Sequence, residues 1–280
     1  MPLVNTAEIM NAARTSQRGQ GAFNVIHLES AEALIQGAEL AGTPLILQIS
    51  ENCVGYHRNL EPIALASLAA ARAASVPVAV HLDHAESEDL AKAAVDLGFG
   101  SVMFDGAHLD YAQNIAVTAR VTEYAHAAGV YVEAELGKIG GKDGAHAPGV
   151  RTDPAEARQF VRETGVDALA VAVGSSHAML DRSAALDLEL IAQLRDALDV
   201  PLVLHGSSGV SDLNIVAAIN AGMTKINVST HLNGFFTHAI RQYLDKNPAV
   251  VDSRKYVARG RDAMAVESAR LLRLFAGIAD

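Results

Sequence analysis

The 280-residue sequence predicts an α/β chain closed as a single (β/α)8 barrel. Three observations carry that expectation. Eight short runs are apolar at nearly every position, as strands buried on both faces of a parallel sheet are. They alternate with eight longer helical segments at intervals of roughly thirty residues, the size of one βα unit. Chemistry-bearing side chains gather where the runs end, most clearly in Val78-Ala79-Val80-His81-Leu82-Asp83-His84, an apolar run that turns abruptly polar. In such barrels the catalytic groups sit at the C-terminal ends of the strands. An open doubly wound sheet is the competitor, and neither GxGxxG nor a Walker A motif supports it. No linker or low-complexity stretch divides residues 1–280, so one domain is expected.

Residues 4–18 read as an extra N-terminal amphipathic helix, with Asn5 or Thr6 as cap and Glu8 at its start. Strands are expected at 22–25, 44–50, 77–83, 101–105, 130–136, 168–173, 201–204 and 225–228, from their β-branched content and the Gly or Pro that bounds most of them. Helices are expected at 30–40, 60–74, 88–97, 112–128, 153–164, 188–198 and 212–221, then C-terminal helices at 232–245 and 261–276. Gly42-Thr43 and Gly98-Phe99-Gly100 end two of them, and Thr152 or Asp153 caps a third with Pro154 in its first turn. Residues 137–151 hold Gly137, Gly140, Gly141, Gly144 and Gly149 and follow a strand end, which reads as a lid.

The formal net charge of −10 argues against non-specific nucleic-acid binding, which needs basic surface. It leaves room for a small anionic substrate held by a local cluster of cation and N–H groups. No apolar run reaches the roughly 18 residues of a membrane span, and the N-terminus lacks a secretory signal. Cys53 stands alone, which excludes an internal disulfide and suits a reducing cytoplasm.

Three histidines share one position type. His84 follows strand three, His177 lies beyond strand six, and His205 ends strand seven. In a closed barrel those ends share one mouth, and three imidazoles with an open fourth position form a catalytic zinc arrangement. His27, His57, His126 and His238 lack this placement, and His81 reads as a structural partner. Asp83 is open to three roles: ligand, general acid/base, or a partner that orients a histidine. Asp105 and Glu135 end strands four and five and are candidates for a second metal site or for hydrogen bonds to the ligands. Glu133 faces the same side as Glu135. The turns Gly206-Ser207-Ser208 and Asn227-Val228-Ser229-Thr230 follow strands seven and eight, where barrels frequently bind phosphate through backbone N–H groups and hydroxyls.

These residues resemble the motifs of the class II, zinc-dependent ketose-bisphosphate aldolases, which include the fructose- and tagatose-bisphosphate enzymes. The motifs are Ala22-Phe23-Asn24-Val25, His81-Leu82-Asp83-His84, Val132-Glu133-Ala134-Glu135-Leu136-Gly137, His205-Gly206-Ser207-Ser208-Gly209 and Lys225-Ile226-Asn227-Val228. The resemblance runs nearly end to end and implies a TIM barrel, usually a homodimer or homotetramer. It implies His84, His177 and His205 as ligands of one zinc ion per subunit, with an additional metal or monovalent cation left open, and Asp83 as catalytic acid/base. Asn24, Ser50, Ala178, Gly206 to Ser208 and Asn227 to Thr230 then face the substrate. The implied reaction is reversible cleavage of a ketose (bis)phosphate to dihydroxyacetone phosphate and an aldehyde. Zinc stabilises the negative charge left by carbon–carbon cleavage, in place of a Schiff-base lysine. Lys225 is expected to begin strand eight, at the end away from the mouth.

Two departures stand out. Where the family has glycine and then a loop with an aromatic and a lysine, the chain reads Ala178-Met179-Leu180-Asp181-Arg182, leaving Arg182 to replace the lysine. The lid reads Gly140-Gly141-Lys142-Asp143-Gly144, with Lys142 in place of an acid and Asp143 as its carboxylate. The added cation points to a variant ketose phosphate with another anionic group at its far end. Arg254 is expected to reach a neighbouring subunit's site. The alternatives are a non-catalytic aldolase-like subunit and a metal-dependent sugar-phosphate epimerase. A barrel hydrolase would usually carry His-x-His on strand one, and Asn24-Val25-Ile26 has none.

Overall fold

A computed structural model describes residues 2–136, 151–176 and 181–279. Eight parallel strands close into a barrel in chain order. They are β1 Gln20–Asn24, β2 Leu45–Ser50, β3 Val78–Ala85, β4 Ser101–Phe104, β5 Tyr131–Leu136, β6 Ala168–Val171, β7 Leu202–Leu204 and β8 Met223–Val228. Closure is direct, with Ala22 of β1 in register with Asn227 of β8. The helices are α1 Thr6–Thr15, α2 Leu28–Ala41, α3 Glu51–His57, α4 Glu61–Ala73, α5 Glu88–Asp96, α6 Tyr111–Ala127, α7 Pro154–Thr164, α8 Leu188–Ala197, α9 Asp212–Ala221, α10 Thr230–Lys246 and α11 Ser253–Ala276. No helix among the described residues is long and apolar enough to cross a membrane.

Strand alternation divides the side chains into two cores. Phe23, Leu47, Val80, Leu82, Val132 and Ile226 point outward and pack against the helix ring. Inside, Ala22, Ile46, Ala79, Tyr131, Ala168 and Val203 form an apolar floor, and Ile9 and Met10 of α1 close it from below. Full burial of those two side chains contributes roughly 1.5–3 kcal/mol each. Above the floor the interior turns polar, with Gln48, His81, Glu133 and Lys225 buried there. Burying charge costs several kcal/mol per ion unless it is paired, so this layer must be organised.

Capping chemistry sets many of the helix boundaries. Asn5, Ser87, Asp153 and Ser211 each accept a hydrogen bond from a first-turn N–H, and Pro154 opens α7. Three expectations need correction. Helix α3 is short, carries too few residues for a periodic signal, and is capped by Ser50. Helix α11 starts at Ser253 rather than 261, because Gly260 is a contact and not a break. A Cβ at Gly260 would lie 2.8 Å from the Phe236 ring, so glycine lets α10 and α11 approach. Lys225 does not begin the last strand. Gly222 ends α9 at φ 138° and the strand starts at Met223, so Lys225 is its third residue and points into the barrel.

Candidate active site

The mouth is built from strand ends. In β3 the regular alternation turns His81 and Asp83 inward and should turn His84 outward. Instead the β3–β4 register shifts between Leu82 and Ala85, and His84 adopts φ 51°. This bulge lets two consecutive residues serve one site. His84 and His205 stack edge to face with ring centroids 4.6 Å apart.

Asp83 is held by two amides. Asn24 donates to its Oδ2 at 3.0 Å and Asn227 to its Oδ1 at 3.4 Å, while Gln48 donates to the Asn24 carbonyl at 2.8 Å. Burial opposes ionisation of Asp83, but the surrounding His84, His205 and Lys225 outweigh it and hold its pKa down at about 2. It is therefore a carboxylate at neutral pH.

Each imidazole meets a carboxylate. Asp105 Oδ2 lies 2.8 Å from His84 Nδ1, which turns Nε2 toward Asp83 at 3.9 Å. His205 lies between Glu135 at its Nδ1 and Glu133 at its Nε2, both at 3.0 Å. Burial alone would lower the His205 pKa, but the two carboxylates raise it to about 9. Burial and the Lys225 charge push His81 down to about 3, so it is a neutral partner.

Donor atoms of Asp83, His84 and His205 lie within 4.8 Å of one another, as do those of His84, Asp105 and Glu135. Two ligands on one zinc ion stand about 3.4 Å apart when each bond is about 2.1 Å in a tetrahedron. The mixed nitrogen and carboxylate set, with a second carboxylate behind each histidine, fits a divalent metal ion.

The other expected residues fall as follows. Ser50 is in register with Asp83 and its hydroxyl caps α3. Gly206 sits at φ 66°, and a Cβ there would lie 2.6 Å from the backbone of Ser176. The Ser207 hydroxyl donates to the Asn227 carbonyl, and the Ser208 hydroxyl accepts from the His231 N–H at 3.2 Å. Val228 packs its side chain into the outer core and offers the site only backbone. Ser229 and Thr230 open α10, and Ser229 makes no side-chain cap. Arg182 ion-pairs with Asp212 at 2.7 Å and lines a cleft of about 330 Å³ with Ser208, Thr230, His231 and Phe235. Arg254 projects from α11 with its side chain 88% exposed and is paired with Asp252 at 2.9 Å. His177, Ala178, Lys142 and Asp143 lie outside the described residues.

Several participants escaped the sequence reading. Gln48, which orients Asn24, was signalled by one polar residue inside Leu45-Ile46-Leu47-Gln48-Ile49. Glu133 and Lys225 were named within the motifs, but their pairing at 2.7 Å was not. His231 bonds Glu267 at 2.6 Å, and Glu267 bonds Arg270, which also pairs with Asp212. That chain ties α9, α10 and α11 together beneath the Ser208 turn.

A (β/α)8 barrel whose mouth gathers imidazoles and carboxylates around one point is a barrel enzyme equipped for a divalent metal. Comparison with known proteins narrows this. The family model for class-II fructose-bisphosphate aldolase matches residues 4–278. The fructose-bisphosphate aldolase of Geobacillus stearothermophilus is 41% identical over 268 residues, covering 94% of this chain and 93% of the relative. That of Giardia intestinalis is 36% identical over 290 residues, covering 94% and 90%. Among solved structures, the YdjI aldolase from Escherichia coli superposes with a TM-score of 0.85 at 32% identity, over 98% of this chain and 97% of the other. The chain belongs to the class-II fructose-bisphosphate aldolase family. It is an aldolase, a carbon–carbon lyase of a metal-dependent family.

Proposed function

We propose that this aldolase cleaves a ketose 1-phosphate carrying a second anionic group at its far end, reversibly releasing dihydroxyacetone phosphate and an aldehyde. The observation that carries the reading is Asp83, clamped by Asn24 and Asn227 beside His84 and His205 at the barrel mouth. Since the Geobacillus relative is named a fructose-bisphosphate aldolase, fructose 1,6-bisphosphate is the first substrate to assay.

Zinc is the proposed ion, held by His84, His205 and His177. Ser176, the sequence neighbour of His177, packs against Gly206, which supports the third assignment. When bound, the ion supplies Lewis-acid stabilisation of the negative charge that carbon–carbon cleavage leaves behind. Asp105 and Glu133 orient the two imidazoles, and Asp105 and Glu135 are candidates for an additional cation. Asp83 takes the proton of the C4 hydroxyl in cleavage and returns it in condensation. The two amides on its oxygens keep the carboxylate aimed at that hydroxyl.

The phosphate of the three-carbon product belongs at the turns Gly206 to Ser208 and Asn227 to Thr230. There the first-turn N–H groups of α10 meet no Ser229 side-chain cap. Arg182 borders the same cleft and can add charge. Asn24, Ser50 and Ala178 face the sugar. Lys142 and Asp143, of the glycine-rich segment, are assigned to the far end of the substrate, where Lys142 favours an anion. The exposed Arg254 suits a homodimer or homotetramer in which it reaches a partner's site. Cys53, a buried thiol whose pKa burial raises to about 11, is suited to the reducing cytoplasm.

The test is release of triose phosphate from a panel of ketose phosphates by metal-stripped protein, with and without added zinc. Zinc-restored cleavage is expected, with Asp83→Asn and His84→Ala each losing at least 100-fold. Cleavage that survives complete metal removal would overturn the reading.

A further inference from the structure

A lysine ammonium is sealed inside the barrel, 1% exposed. Lys225 Nζ lies 2.7 Å from Glu133 Oε2 and 3.3 Å from His81 Nε2. The His81 ring is itself fixed, with Nδ1 2.7 Å from the Ser101 hydroxyl, which lies 2.7 Å from that of Thr6 in α1. A buried ion pair is a poor device for stability, since well-packed apolar residues of similar volume commonly do as well. Its presence calls for another reason.

The second oxygen of Glu133 supplies one. Oε1 lies 3.0 Å from His205 Nε2. Glu133 and Glu135 are two residues apart on β5, so they share a face one layer apart along the strand. Glu133 is the deeper and Glu135 is nearer the mouth. His205 spans them, Nε2 at Glu133 and Nδ1 at Glu135, whose Oε2 also lies 3.9 Å from His84 Nδ1. An imidazole that keeps Nε2–H on Glu133 and gives up the proton it otherwise shares with Glu135 would present its Nδ1 lone pair to the ion. Glu133 does this only while its carboxylate is held in that pose, and Lys225 holds the other oxygen.

We infer that Lys225 is a positioning residue for the metal centre: by pinning Glu133 from below, it fixes which nitrogen of His205 faces the ion. This rests on the proposed reading of His84 and His205 as ligands. Lys225 itself, walled in by Glu133 and His81, touches no substrate.

The experiment is zinc affinity of metal-stripped protein, measured by competition with a chromophoric chelator. The absorption spectrum of the cobalt(II)-loaded protein reports ligand geometry. Lys225→Met is expected to weaken zinc binding 10- to 100-fold, as loss of a group behind a ligand commonly does, and to alter the cobalt spectrum. Glu133→Gln is expected to do the same, because its amide can turn a donor toward His205. In the Glu133→Gln background the further change Lys225→Met is expected to have no added effect, since one acts through the other. Purely structural roles would give independent, additive losses and an unaltered cobalt spectrum. Should Lys225→Met not fold, the double variant, which removes both buried charges, and Glu133→Gln alone decide the matter. Wild-type affinity and spectrum in the folded variants would overturn the inference while leaving the ligand assignment intact. A wild-type protein that binds no zinc, or a His205→Ala variant that binds it fully, would instead overturn the ligand assignment.

Discussion

Replacing Asn24 by alanine removes the shorter of the two amide bonds to Asp83, 3.0 Å against 3.4 Å. A hydrogen bond to a charged group contributes roughly 1.5–3 kcal/mol. If that energy is what aims the carboxylate in the transition state, kcat/KM should fall by roughly 10- to 150-fold, at 1.4 kcal/mol per tenfold. The variant also strips Gln48 Nε2 of its acceptor, and Gln48 Oε1 has no partner among the described residues, so a stability loss of about 1–3 kcal/mol should accompany it. The assay is steady-state cleavage between pH 4 and 8, with thermal unfolding measured alongside. Asn24→Asp is the control that keeps the shape and replaces the donor by a like charge; it should be worse than alanine. If Asn24→Ala keeps kcat/KM within twofold across that range, the amide clamp does not orient Asp83.

Three further outcomes are expected. Asp105→Asn weakens the orientation of His84 and should lower metal affinity by roughly 10- to 100-fold in an equilibrium dialysis series, with little change in the fold seen by circular dichroism. Gly206→Ala forces a left-handed alanine, costing roughly 1–2 kcal/mol, and presses a methyl into the Ser176 backbone. Urea unfolding should show a clear loss, and unchanged stability would mean the turn rearranges freely. Burial raises the pKa values of Glu267 and Asp212, but Arg270, with His231 for Glu267 and Arg182 for Asp212, outweighs it and leaves both depressed. Depressed carboxylates add stability that is full above their unfolded pKa values, near 4, and fades as pH falls through the lower folded values. Arg270→Met should therefore reduce the melting temperature at pH 7 and flatten its decline below pH 4; an acid limb parallel to wild type would refute this.

The fold was legible because each strand is buried on both faces and so reads as an uninterrupted apolar run. The helices were legible where a capping residue and a Gly or Pro marked their ends. What differed was the start of the last helix and of the last strand. Helix α11 runs on through Gly260, whose lack of a side chain admits the Phe236 ring. Lys225 lies inside the last strand, and its partner Glu133, 92 residues away, makes a buried charge there tolerable. At the mouth, His84, His205 and Asp83 were identifiable as strand-end residues and do converge. The bulge that turns His84 inward was not, since nothing in Leu82-Asp83-His84 announces a positive φ. Which carboxylate serves which imidazole depends on side-chain direction across four strands, and spacing along the chain does not encode it.

The floor formed by α1 has a consequence for how the molecule is made. Helix α1 precedes every strand in the chain and has its berth among side chains of β1, β2, β3, β5, β6 and β7, so it must wait until the seventh strand has been synthesised. The last strand then closes against the first. Until then Ile9 and Met10 stay exposed. Deleting residues 1–12 would leave the apolar floor uncovered for good and should impair yield and promote aggregation during expression, although the deletion lies at the far pole of the barrel from the catalytic groups.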